Sequence, residues 1–150
     1  MAYEEQLLLP WWWWLGGLLL TASIGAAVFA YLPWQVSAVV TGLVAIAVAA
    51  VLVGYGSSKL IVNDGWLQAG RNRIETRWIE SAEGFEGQAA AAAAGPQASR
   101  HDFLHTRPYV SGLVRVHLDD PADPHPHWLI STRRPEALAQ AINDAVGEGA

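Results

Sequence analysis

Two uncharged apolar runs constrain this chain more than anything else in it. Residues 13–31 read WWLGGLLLTASIGAAVFAY and residues 36–55 read VSAVVTGLVAIAVAAVLVGY. Each is about 20 residues long, which at about 1.5 Å per residue spans the roughly 30 Å hydrocarbon layer of a bilayer. Both are apolar on every face, so neither carries the polar stripe of a helix resting on a soluble core. Burying both would take more protein than the rest of a 150-residue chain supplies. Leu32-Pro33-Trp34-Gln35 joins them as a short uncharged turn, with Pro33 ending the first helix or starting the second. The expectation is an antiparallel transmembrane hairpin.

Charge is partitioned along the chain. Residues 1–58 hold no Lys, Arg, Asp or His, and Glu4 and Glu5 are their only charges; all nine basic residues lie from Lys59 onward. Lys59, Arg71, Arg73 and Arg77 follow the second run closely, and the positive-inside rule then puts the carboxyl-terminal part in the cytoplasm. Two spans return the amino terminus to that side, which predicts a multi-pass cell-membrane protein with both termini cytoplasmic. A cleaved signal peptide would need a basic stretch before the first run, and residues 1–9 have none. Trp11, Trp12, Trp13 and Trp14 at one end, Trp34 at the turn and Tyr55 at the return are expected as membrane-interface anchors; an aromatic cage for a ligand or quinone is the alternative use of the tryptophans. Gly17, Thr21 and Gly25, and Ala38, Gly42, Ala45 and Ala49, form small faces that suit close helix contact, within the hairpin or between copies in a homo-oligomer. Neither run holds an Asp, Glu, Lys, Arg or His, which argues for anchoring and against transport.

Composition removes further classes. A net charge of -5 and a pI near 5.4 argue against a nucleic-acid partner. The absence of cysteine excludes a disulfide scaffold, a thiolate zinc site, an iron–sulfur cluster and a Cys nucleophile.

From Lys59 the apolar period changes to two. Residues 60–62 and 66–69 read as strands around Asp64-Gly65, a strong hairpin signal, and after a turn at 70–72 residues 73–79 continue as strand. Residues 86–99, with six consecutive alanines, read as a variable loop with some helical content. Residues 112–118 alternate, with Val114, Val116 and Leu118 on one face and Arg115 and His117 on the other. A proline-broken loop over 119–127 leads to a returning strand at 128–131. A terminal helix over 135–146 presents Leu138, Ala141, Ile142, Ala145 and Val146 as an apolar stripe, with Ser131 or Thr132 as its N-cap. Residues 1–58 thus form an amino-terminal segment with the hairpin, and residues 59–150 a cytosolic domain. The fold class is an α+β membrane protein: a two-helix hairpin, then a small antiparallel β-domain of pleckstrin-homology-like (PH-like) outline closed by a helix.

At this level the chain is similar to an actinobacterial family of two-span membrane proteins with no established activity. The likeness rests on the tryptophans at 11–14, the strand block over 60–78 with Asp64-Gly65, and the stretch from Asp119-Asp120-Pro121 to Trp128-Leu129-Ile130-Ser131-Thr132-Arg133-Arg134-Pro135. Eight of the nine basic residues are Arg and Ala is abundant, which fits a GC-rich genome. The resemblance implies a membrane protein with a small cytosolic domain and transfers no catalytic residue.

Two clusters invite chemistry. His101, His105, His117, His125 and His127 offer imidazoles near several aspartates, the ligand types of a zinc site, and define the alternative of a membrane-bound metal-dependent enzyme. Yet His101 and His105 do not sit on a convincing helix, and the H-E-x-x-H arrangement is absent. Exposed polar histidines are the plainer expectation, with no metal and no cofactor. Ser131, Thr132, Arg133 and Arg134 at a helix start, with Lys59, Arg71 and Arg73, could contact an anionic lipid headgroup or another membrane protein. No triad, phosphate loop or other catalytic constellation appears. The sequence therefore predicts a non-enzymatic membrane-anchored interaction or structural module, or an accessory subunit of a membrane complex.

Overall fold

The computed structural model describes residues 2–149, which divide into two compact units: residues 8–57, and residues 2–7 together with 58–149.

The first unit is a helical hairpin. Helix α1 spans Trp11–Tyr31 and α2 spans Trp34–Tyr55; both begin earlier than the 13–31 and 36–55 limits read from hydropathy, so Trp11, Trp12 and Trp34 are helical. Pro10 and Pro33 are the N-cap residues, with φ of -59° and -56°, so Pro33 opens the second helix. Ser37, wholly buried, donates its hydroxyl toward the carbonyls of Val28 (3.3 Å) and Leu32 (3.2 Å). Those carbonyls lie at the end of α1, where intrahelical donors run out. The two helices approach through small residues. A Cβ on Gly17 would lie 2.9 Å from both Val48 and Leu52, and one on Gly25 would lie 3.1 Å from Thr41. Gly16 and Gly42 face open space. Both helices are long and apolar enough to cross a membrane, and little of either is buried against protein.

The second unit is a β-domain. Strands β1 (Tyr3–Leu7), β2 (Ser58–Asn63), β3 (Trp66–Ala69) and β4 (Asn72–Glu75) form an antiparallel sheet in that order. Asp64 and Gly65 between β2 and β3 have φ of 49° and 76°, the left-handed pair that a two-residue hairpin turn requires. A 3-10 turn at Thr76–Trp78 then interrupts what reads as one strand over 73–79 and hands the chain to a second sheet. That sheet contains β5 (Ile79–Phe85), β6 (Phe103–His105), β7 (Gly112–Leu118) and β8 (His127–Thr132) in the order β5-β7-β8-β6, with β6 parallel to β8.

Helix α4 (Pro135–Glu148) packs Leu138, Ala139 and Ile142 into the main core with Leu7, Leu60, Val62, Leu67, Val114, Val116 and Ile130. Asn143 holds the edge strand β5 as a further strand would, accepting from the Ala82 amide (2.9 Å) and donating to its carbonyl (3.0 Å). The alanine run is not a loop. Gly87–Ala94 is a helix, α3, whose Ala90 and Ala93 are buried against Leu113 and Leu129 on the opposite face of the second sheet. Only side chains as small as alanine let a helix lie that close, so the run's lack of large anchors marks its packing rather than its freedom.

The larger correction concerns the amino terminus. Residues 3–7 are not a tail before the hairpin but the edge strand of the domain beyond it, paired from Tyr3 opposite Val62 to Leu7 opposite Ser58. The alternation of Tyr3, Glu5 and Leu7 on the inner face carries this, but with a carboxylate at its middle position the pattern does not read as apolar.

Candidate functional site

The β1–β2 pair flanks the hairpin in sequence, and the polar contacts of the domain concentrate on it. Glu5 is buried, 6% exposed. Its carboxylate accepts from the Tyr3 hydroxyl (2.8 Å), the Arg133 backbone N–H (2.9 Å) and the Thr132 hydroxyl in a short contact. A carboxylate taken from water needs such donors to offset its lost hydration. Burial pushes the Tyr3 phenol up from its ordinary pKa, and Glu5 adds to this while Thr132 and Arg134 oppose it. The Arg134 guanidinium lies 5.5 Å from the centre of the Tyr3 ring. At the last register pair, Arg107 donates from Nη2 to Ser58 Oγ (2.5 Å) and the Tyr109 hydroxyl donates to the Leu7 carbonyl (3.4 Å). The Arg107 amide donates to Ser131 Oγ (2.8 Å). Glu5, Arg107 and Tyr109 thereby bind both stem strands to β8 and to the loop after β6.

This clasp occupies residues that the sequence assigns to anion contact. Ser131 and Thr132 are buried strand residues, 3% and 0% exposed, and their hydroxyls serve Arg107, Glu5 and the Arg134 amide. Neither caps α4. Its N-cap is Arg134, without a side-chain cap hydrogen bond, and the buried Pro135 follows at once. A Cβ on Gly84 would lie 2.9 Å from the Pro135 carbonyl carbon and 3.2 Å from the Glu136 nitrogen, so that helix start is set against the sheet backbone. The side chains of Arg133, Arg134, Lys59, Arg71 and Arg73 remain exposed. Lys59 is 3.9 Å from Glu4, and Arg73 lies over Trp66 at 5.0 Å. Arg133 and Arg134 follow β8, Lys59 is in β2, Arg71 is in the turn between β3 and β4, and Arg73 is in β4.

Among the expected anchors, Trp11, Trp12, Trp14 and Trp34 are exposed, while Trp13 stacks on Tyr55 at 6.1 Å. A groove of about 520 Å³ lined by residues including Trp12, Trp13, Gly17 and Leu52 runs between the helices, with an almost wholly apolar lining.

The histidines disperse into three settings. His125 donates from Nδ1 to the His101 carbonyl (2.8 Å). His105, in β6 and not on a helix, is packed against Gly70, and its buried Nε2 has no hydrogen-bond partner among the described residues. Burial, helped by the nearby Arg107 charge, lowers its pKa. His117 and His127 face each other across β7 and β8, with rings edge-to-face at 4.8 Å. His127 donates from Nδ1 to Asp102 (2.9 Å), and His117 Nε2 is 3.8 Å from Glu83. Among the described residues no group of three or more His, Asp or Glu side chains is placed to hold a metal ion. The sequence gives little sign of Asp102 or Glu5 as buried carboxylates, because His127 and Thr132, on which they close, lie 25 and 127 residues away along the chain.

No curated protein and no solved structure matches this chain. A family model does, over residues 2–142, which takes in β1, the hairpin and the β-domain into α4. The chain therefore belongs to the DUF3093 family, whose description is a protein of unknown function.

Proposed function

We propose that the chain is an integral membrane protein whose two-span hairpin carries the β-domain as an anchored interaction or structural module, or as an accessory subunit of a membrane complex. The observation that carries this reading is the insertion of the hairpin between two directly paired strands. Only Leu8, Leu9 and Pro10 separate β1 from α1, and only Gly56 and Ser57 separate α2 from β2. A domain hung on a flexible linker needs one attachment; this one is joined at both ends, and Glu5, Arg107 and Tyr109 brace the stem. Such a build suits a domain tethered to the membrane through two attachments.

Both ends of the hairpin lead into paired strands of one sheet, which supports the reading that the two termini share a side. The clustering of Lys and Arg after the second span supports the cytoplasm as that side. The two four-stranded sheets closed by α4 support the PH-like outline, with the parallel β6 as a departure from a simple meander. The exposure of Lys59, Arg71, Arg73, Arg133 and Arg134 supports contact with anionic headgroups or an acidic partner, and the open faces at Gly16 and Gly42 support contact with a second copy. We read the chain as non-enzymatic and without nucleic-acid partners.

The test is carbonate extraction combined with Leu43→Arg. The wild type is expected to resist extraction, and a charge at this exposed, mid-span position is expected to cost about 3 kcal/mol of insertion and release a large soluble fraction. Clean release of the wild type, or an exported reporter at the carboxyl terminus, overturns the reading. Recovery of the chain without any protein or lipid preference in mild detergent argues against the interaction role.

A further inference from the structure

Across the second sheet, β7 and β8 set His117 directly opposite His127. The rings lie 4.8 Å apart, and both side chains are partly open to solvent, 26% and 32% exposed. Two features distinguish this pair from the other three histidines. First, His127 is oriented from behind. Its Nδ1 donates to Asp102, whose side chain is only 2% exposed and whose second oxygen accepts the Ser99 amide at 2.7 Å. A carboxylate on one imidazole nitrogen fixes the tautomer and leaves the lone pair on Nε2, the arrangement that orients histidines toward metal ions. Second, a carboxylate stands beside the other ring: Glu83 Oε2 is 3.8 Å from His117 Nε2. Two ligands at about 2.1 Å on a tetrahedral ion are themselves about 3.4 Å apart. That separation falls a few tenths of an ångström short of 3.8 Å, and Glu83 is exposed and free to turn.

We propose that His117, His127 and Glu83 bind one borderline divalent ion of the zinc or nickel type, with Asp102 as the positioning residue behind His127. Two imidazoles and one carboxylate favour such ions over magnesium or calcium, which take all-oxygen sets. The three groups do not yet converge, so the ion draws them together by turning the His117 ring and the Glu83 side chain, with water completing its coordination. The bound ion then ties β5, β7 and β8 on the face beside α3. The site lies wholly within the β-domain and is independent of the membrane reading.

The experiment uses the full chain in mild detergent, purified without a polyhistidine tag, and titrates Zn²⁺ and Ni²⁺ by calorimetry. One equivalent of saturable binding is expected. His117→Gln and His127→Gln should each weaken it at least about tenfold, Asp102→Asn by about tenfold through lost orientation, and His101→Gln and His125→Gln should leave it unchanged. Since Asp102 also holds the Ser99 amide, the unaltered protein supplies a second readout that is independent of folding changes. Ni²⁺ should broaden the ring resonances of His117 and His127 before those of His101, His105 and His125. Absence of saturable binding, binding unchanged in the His117→Gln, His127→Gln double variant, or broadening that starts at His101 or His125 overturns the proposal.

Discussion

In the hairpin Leu18, Leu19, Val39, Leu43 and Ile46 are each more than 60% exposed, whereas in the β-domain Leu60, Leu67, Leu129, Leu138 and Ile142 are fully buried. The residue types are the same and their use is opposite. The hairpin turns its large side chains outward and brings its helices together through Gly17 and Gly25, so its apolar surface must be satisfied by something outside the chain. The β-domain turns them inward and gives its buried polar side chains hydrogen-bond partners, Glu5 with Thr132, Ser131 with Arg107 and Asp102 with His127 among them. One region therefore tolerates changes in its outward small residues, and the other is intolerant of changes as small as one methyl.

Glycine substitutions put the greatest strain on that contrast. A Cβ on Gly112 would overlap the Thr132 carbonyl and lie 3.0 Å from the Pro135 ring. Backbone cannot turn aside as a side chain can, so Gly112→Ala should cost the β-domain about 4 kcal/mol, at the severe end for a point change. Gly42→Ala, with nothing within 4 Å, should change hairpin stability by no more than about 0.5 kcal/mol. Hydrogen exchange of peptides from β7–β8 and from α2, followed through denaturant, reads both. Similar losses in the two regions would break the comparison.

The adjacent glutamates sharpen it within a single strand. Glu5→Ala removes the acceptor for the Thr132 hydroxyl and the Arg133 amide, leaving buried donors unpaired at a cost of about 3 kcal/mol. Glu4 points to the other face, its closest cation being Lys59 at 3.9 Å with both side chains more than half exposed. Glu4→Ala should therefore fall within about 0.5 kcal/mol of the wild type. Unfolding of the β-domain by urea distinguishes them; equal midpoints would remove the clasp from the account.

The same contrast explains what was legible beforehand. The two apolar helices, the Asp64-Gly65 turn, the alternating strand of Val114 and Val116 and the apolar stripe of α4 each declare themselves through local pattern, and each is present. The amino-terminal strand does not, because its partner in the sheet lies beyond the whole hairpin and its inner face carries Glu5. The α4 start misleads for a related reason: Ser131 and Thr132 look like caps by position, while their hydroxyls are taken by groups 24 and 127 residues away. Helix α3 was hidden because its anchors are alanines, whose burial depends on the sheet beneath them. Contacts across long sequence separations, between residues whose local pattern is polar or bland, are what one-dimensional reading loses.

The smallest effect separates the regions by acidity. The hairpin has no titratable group other than Tyr31 and Tyr55, so its stability should be flat across neutral pH. In the β-domain, burial of His105, with the Arg107 charge second, holds its folded-state pKa below the ordinary 6.5. The folded state then binds fewer protons than the unfolded state in the interval between the two values, and stability rises with pH there. Above about pH 6.5 the imidazole is neutral in both states and costs nothing. As pH falls below that, the unfolded chain takes the proton first and the domain weakens, until the folded-state value is passed and the loss levels off. His105→Gln removes this contribution, so the difference in urea midpoint between the wild type and the variant should change between pH 7.5 and pH 5, the wild type losing more. Because the ring is partly open to solvent, the change should be smaller than that from Glu5→Ala. A parallel decline in both proteins would assign the acid sensitivity to other groups, and a decline in the hairpin of equal size would erase the distinction between the two regions.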